Sequence, residues 1–252
     1  MTDSRDIPLV EIRDLTVRFG GHTALDNVSF GIGSGAITGL IGPNGAGKTT
    51  LFNAITGLQQ PTSGTVLFNG KDVSRLAPHK RARMGLARTY QRLELFLSLS
   101  VRDNVRVAGD IYNASRHRRA RIDVEREADR LVELAGLGDI AERDISEIPT
   151  GRARVVELAR ALMGSPSVLL LDEPAAGQTE EESRRFGRLL TDLANAGTAI
   201  CLVEHDLELV MSTCSLVHVL DFGALLASGT PTQIRNNQRV VDAYIGTTAA
   251  PA

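Results

Sequence analysis

The densest chemistry in the chain lies in eight consecutive residues, Gly42-Pro43-Asn44-Gly45-Ala46-Gly47-Lys48-Thr49, which follow the spacing G-x-x-x-x-G-K-[ST]. Glycine lets backbone N–H groups converge on phosphate oxygens with no Cβ in the way. Lys48 can reach the terminal phosphates of a nucleotide, and the Thr49 hydroxyl, with Thr50 behind it, suits a magnesium ion. A second group lies far along the chain, where Val168-Leu169-Leu170-Leu171 runs into Asp172-Glu173-Pro174. This reads as a central strand delivering two carboxylates to the sheet edge where open α/β folds bind ligands. There Asp172 would orient magnesium and its waters, and Glu173 would activate an attacking water as a general base. A glycine-rich turn or an apolar run ending in Asp-Glu is unremarkable alone. Together they describe two halves of one phosphate site.

Such residues act only if strands and helices hold them together. Ala36–Ile41 is a short apolar strand that stops at the glycine loop, and a helix begins near Lys48. Upstream, Leu9–Phe19 and Leu25–Ile32 are β-like, and Thr65–Phe68 followed by Asn69-Gly70 reads as a hairpin. From Ser100 to Ala141 the pattern is helical, with Val124, Ala128, Leu131, Val132 and Ala135 on one face. After Thr150-Gly151 another helix turns Val155, Val156, Ala159, Leu162 and Met163 to its apolar side. Val168–Leu171, Thr198–Val203 and Leu216–Leu220 are brief apolar runs between helical segments, the pattern of parallel strands buried on both faces. The spacing predicts an α/β core made of the two chain ends, with a helical insert between about 93 and 150. The N-terminal strands form an antiparallel edge or a separate sheet.

Composition narrows the class. The 252 residues are 42% apolar and 23% charged with a net charge of −2, an ordinary soluble globular balance and not that of a dedicated nucleic-acid binder. The two cysteines, Cys201 and Cys214, read as buried small hydrophobes in a reducing compartment. No run approaches the ~18 apolar residues of a membrane span, and Met1–Asp6 carries charges without an apolar core behind them. The expectation is a cytosolic protein whose membrane role comes through a partner. Four arginines within Arg116–Arg121 read as a solvated helix face, and His22, His79, His117 and His218 as structural.

The phosphate loop and the Asp-Glu strand end resemble the ATP-binding cassette (ABC) family, and the likeness covers essentially the whole chain. It implies a P-loop NTPase (RecA-like) α/β core with an N-terminal antiparallel β subdomain and a helical insert. That is a single nucleotide-binding domain, with core 1–92 and 151–252 and a helical subdomain of about 93–150. It implies a Mg2+-dependent ATPase in which residues 42–50 bind ATP and Lys48 contributes to catalysis. Phe19 of Val17-Arg18-Phe19-Gly20-Gly21 would stack on adenine, the alternative being a core residue that ends a strand. Gln91 of Ala87-Arg88-Thr89-Tyr90-Gln91 matches the family's Q-loop glutamine, which touches magnesium or the attacking water. His205 of Val203-Glu204-His205-Asp206 resembles the switch histidine that holds the γ-phosphate.

The family's signature, commonly Leu-Ser-Gly-Gly-Gln, is Ile148-Pro149-Thr150-Gly151-Arg152 in this chain. Pro149 removes the serine hydroxyl, yet Gly151 and the helix start leave Thr150 and Gly151 able to bind an anion by backbone N–H groups. That departure, Ala175-Ala176-Gly177 and Asp242-Ala243-Tyr244-Ile245-Gly246 are similar to the branched-chain (hydrophobic) amino-acid uptake branch, in the larger of its two ATPase subunits. Gln178-Thr179 departs from that branch. The resemblance implies a head-to-tail pair of cassettes, homo- or heterodimeric, working with transmembrane permeases and indirectly a substrate-binding protein, on the cytoplasmic face of the cell membrane. Alternatives are urea, amide or aromatic-acid uptake, lipopolysaccharide export, or a soluble assembly or DNA-repair ATPase. The short insert, without sustained heptads or a Cys/His cluster, argues against DNA repair.

Overall fold

The computed structural model describes residues 8–115 and 121–245. The expected arginine face, except for Arg121, lies outside them, as do His117 and Met1–Asp6. In chain order the first half holds β1 (Val10–Phe19), β2 (His22–Ile32), β3 (Ile37–Ile41), α1 (Lys48–Thr56), β4 (Ser63–Phe68), β5 (Lys71–Asp72), α2 (Pro78–Arg83) and β6 (Leu86–Arg88). Helices α3 (Val101–Ala114), α4 (Val124–Leu134) and α5 (Thr150–Leu162) follow. The chain then alternates through β7 (Val168–Asp172), α6 (Glu180–Asn195), β8 (Ala199–Val203), α7 (Leu207–Thr213), β9 (Leu216–Asp221) and β10 (Ala224–Gly229). Two short helices, α8 (Pro231–Arg235) and α9 (Gln238–Ile245), come last.

Two sheets form. The N-terminal strands make a separate antiparallel sheet in the order β2-β1-β4-β5, and Asn69 and Gly70, both at positive φ, turn β4 into β5. The larger sheet runs β10-β9-β3-β8-β7-β6, parallel except for the antiparallel edge strand β10. Its central strands are buried throughout, and alternate residues serve two cores. Val168, Leu170, Cys201 and Val203 face α1 and the antiparallel sheet. Leu169, Leu171, Ile200 and Leu202 face α6 and the helices α3–α5. Helix α1 is thus held between two sheets, with Leu51, Phe52 and Ile55 fully buried.

Some boundaries differ from expectation. Strand β2 starts at His22 rather than Leu25, because His22 and Thr23 pair with Phe19 and Arg18 across the Gly20-Gly21 turn. The helical stretch expected from Ser100 to Ala141 is two helices, and Gly138–Ile140 is a single 3-10 turn. In α5 Val155 is only half-buried, whereas Arg154 and Glu157 are buried with the apolar residues. Both cysteines are buried and free.

Candidate functional site

Because β3, β8, β7 and β6 are adjacent and parallel, the loops leaving their carboxyl ends open on one edge of the sheet. Residues 42–47 leave β3 and enter α1. Gly42, at φ 155°, lies where a Cβ would fall 2.0 Å from the Leu220 carbonyl oxygen, and at Gly47, at φ 105°, one would fall 2.7 Å from that of Ala24. No side chain caps α1 and no acid occupies its first turn, so its N–H groups and positive end face the loop. Lys48 Nζ donates to the carbonyls of Gly42 (2.5 Å) and Pro43 (3.0 Å). Burial lowers its pKa, while the carboxylates of Glu173 and Asp172 pull it back up. The lysine therefore feels the charge of both acids.

Asp172 ends β7 in a buried position, and its Oδ2 accepts from Arg88 of β6 at 2.9 Å. Burial raises its pKa against the pull of Arg88. The same guanidinium donates to Asn53 Oδ1 of α1 at 2.6 Å and lies over the Phe52 and Tyr90 rings. Glu173 takes φ 50°, uncommon for a side chain of its size, and its Oε2 accepts from Gln91 Nε2 at 3.0 Å. Two residues singled out 82 positions apart thus meet directly. His205 does not join them: its side chain is 72% exposed, with its nearest ionic neighbour the Glu204 carboxylate at 3.8 Å. Phe19 ends β1 half exposed, which removes the core-residue reading.

Among the described residues no cluster of three or more His, Cys, Asp or Glu side chains could cage a metal. The local donors, the Thr49 hydroxyl, the Gln91 amide and the Asp172 carboxylate, are hard oxygens. They suit magnesium, which keeps waters and takes phosphate oxygens alongside one or two carboxylates.

The sequence profile described as "ABC transporter" matches residues 25–176, more than half of the chain. The chain belongs to the ABC transporter family. A second profile, "Branched-chain amino acid ATP-binding cassette transporter", matches residues 224–250. The high-affinity branched-chain amino acid transport ATP-binding protein LivG of Escherichia coli K12 is 39% identical over 95% of this chain and 98% of its own length. BraF of Pseudomonas aeruginosa, of the same description, is 37% identical over the same shares. A nucleotide-free ATP-binding cassette from an ABC transporter superposes with a TM-score of 0.85 at 27% identity, covering 95% of this chain and all of that one.

In this ABC ATPase the segment Ile148-Pro149-Thr150-Gly151-Arg152 leads into helix α5. Arg152, in the first turn of α5, donates to Asp139 at 2.5 Å and to the Gly136 carbonyl. Helix α5 opens at Thr150 behind Pro149 with no side-chain cap, and Gly151 packs so closely on Gly177 that a Cβ would lie 2.8 Å from its carbonyl oxygen. Thr179, unexpected in the amino-acid branch, is the N-cap of α6 and forms a capping box with Glu182. Sequence reading missed the buried charges of α5. Arg154 donates to the carbonyls of Tyr90 and Gln91 and to Glu157, and Glu157 accepts from the Glu94 N–H at 2.8 Å. The segment carrying Gln91 is thereby fastened to the helix that starts at Thr150. Beside it lies a cleft of about 500 Å³, lined by Leu58, Pro78, Arg88, Tyr90 and Ile111 among others, with Leu58, Tyr90 and Ile111 exposed.

Proposed function

We propose that this ABC ATPase energises the uptake of branched-chain or other hydrophobic amino acids. The single observation that carries the reading is similarity along 95% of the chain to LivG, a branched-chain amino acid transport ATP-binding protein.

In the proposed mechanism the triphosphate of ATP nests against the N–H groups of residues 42–50. Lys48 exchanges the carbonyls of Gly42 and Pro43 for phosphate oxygens, and exposed Phe19 stacks on adenine. Thr49, Gln91 and Asp172 would hold magnesium, which when bound neutralises charge on the phosphate oxygens. Glu173 takes the proton of the attacking water as general base. Gln91, bonded to its carboxylate, holds that base in place. His205 is exposed and turns to donate a hydrogen bond to the γ-phosphate.

Thr150 and Gly151 serve the nucleotide of a second cassette placed head to tail, through the uncapped N–H groups of α5. The chain acts as one nucleotide-binding domain whose helical part, about 93–150, moves with the Gln91 segment. Permease subunits dock at the apolar cleft beside Tyr90, which keeps this chain peripheral on the inner face of the membrane. A binding protein selects the cargo.

The test is reconstitution with the neighbouring permease and binding proteins in vesicles. Leucine-, isoleucine- or valine-loaded binding protein should stimulate ATP hydrolysis several-fold. Stimulation by urea, or by lipopolysaccharide, with none by these amino acids would contradict the proposal.

A further inference from the structure

Glu204 follows β8 and is almost fully buried, at 2% exposure. One carboxylate oxygen, Oε1, accepts from the Ala175 N–H at 2.8 Å, and the other, Oε2, accepts from the His205 N–H at 3.2 Å. A buried carboxylate is costly unless hydrogen-bonded, and this one is compensated by main-chain donors rather than by a lysine or arginine. An apolar residue in its place would leave the Ala175 and His205 N–H groups without this acceptor.

What it supplies is a tie between two loops. Glu173 sits at φ 50°, a conformation that persists only where the surroundings over-determine it. Its own N–H donates to the Val203 carbonyl at 2.9 Å, and two residues later Ala175 is held by Glu204. The end of β8 thus grips the Glu173 backbone on both sides, and the same carboxylate fixes the peptide of His205. The gripped loop runs on to Gly177, which packs against Thr150 and Gly151.

We propose that Glu204 is a positioning residue for ATP hydrolysis: it sets the Glu173 loop and the His205 peptide in one fixed relation. This rests on the reading of Glu173 and His205 given above. Glu204 touches neither the nucleotide nor the reacting water. Its loss therefore lowers turnover while leaving ATP binding to the Lys48 loop intact.

The experiment compares Glu204→Ala, Glu204→Gln and Glu173→Gln in the full chain. It measures kcat and KM for ATP, the affinity for a fluorescent ATP analogue, and the thermal midpoint. Glu204→Ala should lower kcat at least about tenfold, the loss of roughly one charge-assisted hydrogen bond. KM and analogue affinity should stay within about twofold. Glu204→Gln keeps one acceptor oxygen and should recover part of kcat; if the alanine variant does not fold, the glutamine variant decides alone with a kcat below wild type at unchanged KM. Wild-type kcat in Glu204→Gln and in any folded alanine variant, or kcat and affinity falling together with the thermal midpoint, overturns the proposal. Turnover retained by Glu173→Gln would instead remove the reading on which it rests.

Discussion

Arg88 divides its guanidinium between Asn53 of the phosphate-loop helix and Asp172 at the end of β7, with both members of the ion pair 4% exposed. Removing one partner of such a pair strands the other charge in the interior, at a cost of about 3–5 kcal/mol. Urea unfolding of Arg88→Met should show a loss of that size, and a loss below about 1 kcal/mol would contradict the arrangement. At this scale the sequence was legible only where chemistry imposes a spacing. Lys48 and Thr49 stand at fixed offsets from glycines, and Asp172 and Glu173 end an apolar run. Arg88, Arg154 and Glu204 carry no such offset. Their partners lie 84, 63 and 29 positions away in Asp172, Gln91 and Ala175, so only the folded chain reveals them.

Among the elements, α1 combines an open N-terminus with a closed C-terminus. Buried Arg81 donates to the carbonyls of Ala54 and Ile55, each at 2.7 Å, and to those of Leu76 and Ser74, so the helix that presents Lys48 is anchored at its far end. The hairpin of β9 and β10 is fastened in another way. His218 Nδ1 meets Ser228 Oγ at 2.8 Å, and its ring lies 4.5 Å from that of Phe30 in β2, joining the two sheets. Burial pushes its pKa down to about 4, against about 6.5 in an unfolded chain. Between those values the unfolded chain binds the extra proton, so this part of the stability is complete above about pH 6.5 and is lost as pH falls toward 4. Wild type should lose about 3 kcal/mol more than His218→Phe between pH 7 and 4 in urea titrations. Equal losses would contradict a buried neutral imidazole. Brief apolar runs revealed the buried strands, and helical periodicity revealed α4. Strand β6, three residues long, and the half-exposed edge strand β10 offer no period to read.

Over the whole molecule, adjacent parallel strands bring the Lys48 loop, the Glu173 loop and the Gln91 segment to one edge. α5 ties the last of these to the helix start at Thr150. Alternating apolar runs made the α/β core legible, and the separate N-terminal sheet settled what the runs alone left open. The links between loops were not legible, because they are made by single charged side chains reaching backbone groups far along the chain. In the mechanism proposed above, binding and hydrolysis separate: the Lys48 loop would hold phosphate, and Glu173 would act on water. The most direct measurement is single-turnover ATP hydrolysis with parallel nucleotide-binding titrations of Glu173→Gln and Lys48→Ala in the full chain. Glu173→Gln should bind ATP like wild type and hydrolyse it at least about a hundredfold more slowly, while Lys48→Ala should lose both. Wild-type hydrolysis by Glu173→Gln, or undiminished ATP affinity in Lys48→Ala, would contradict the account.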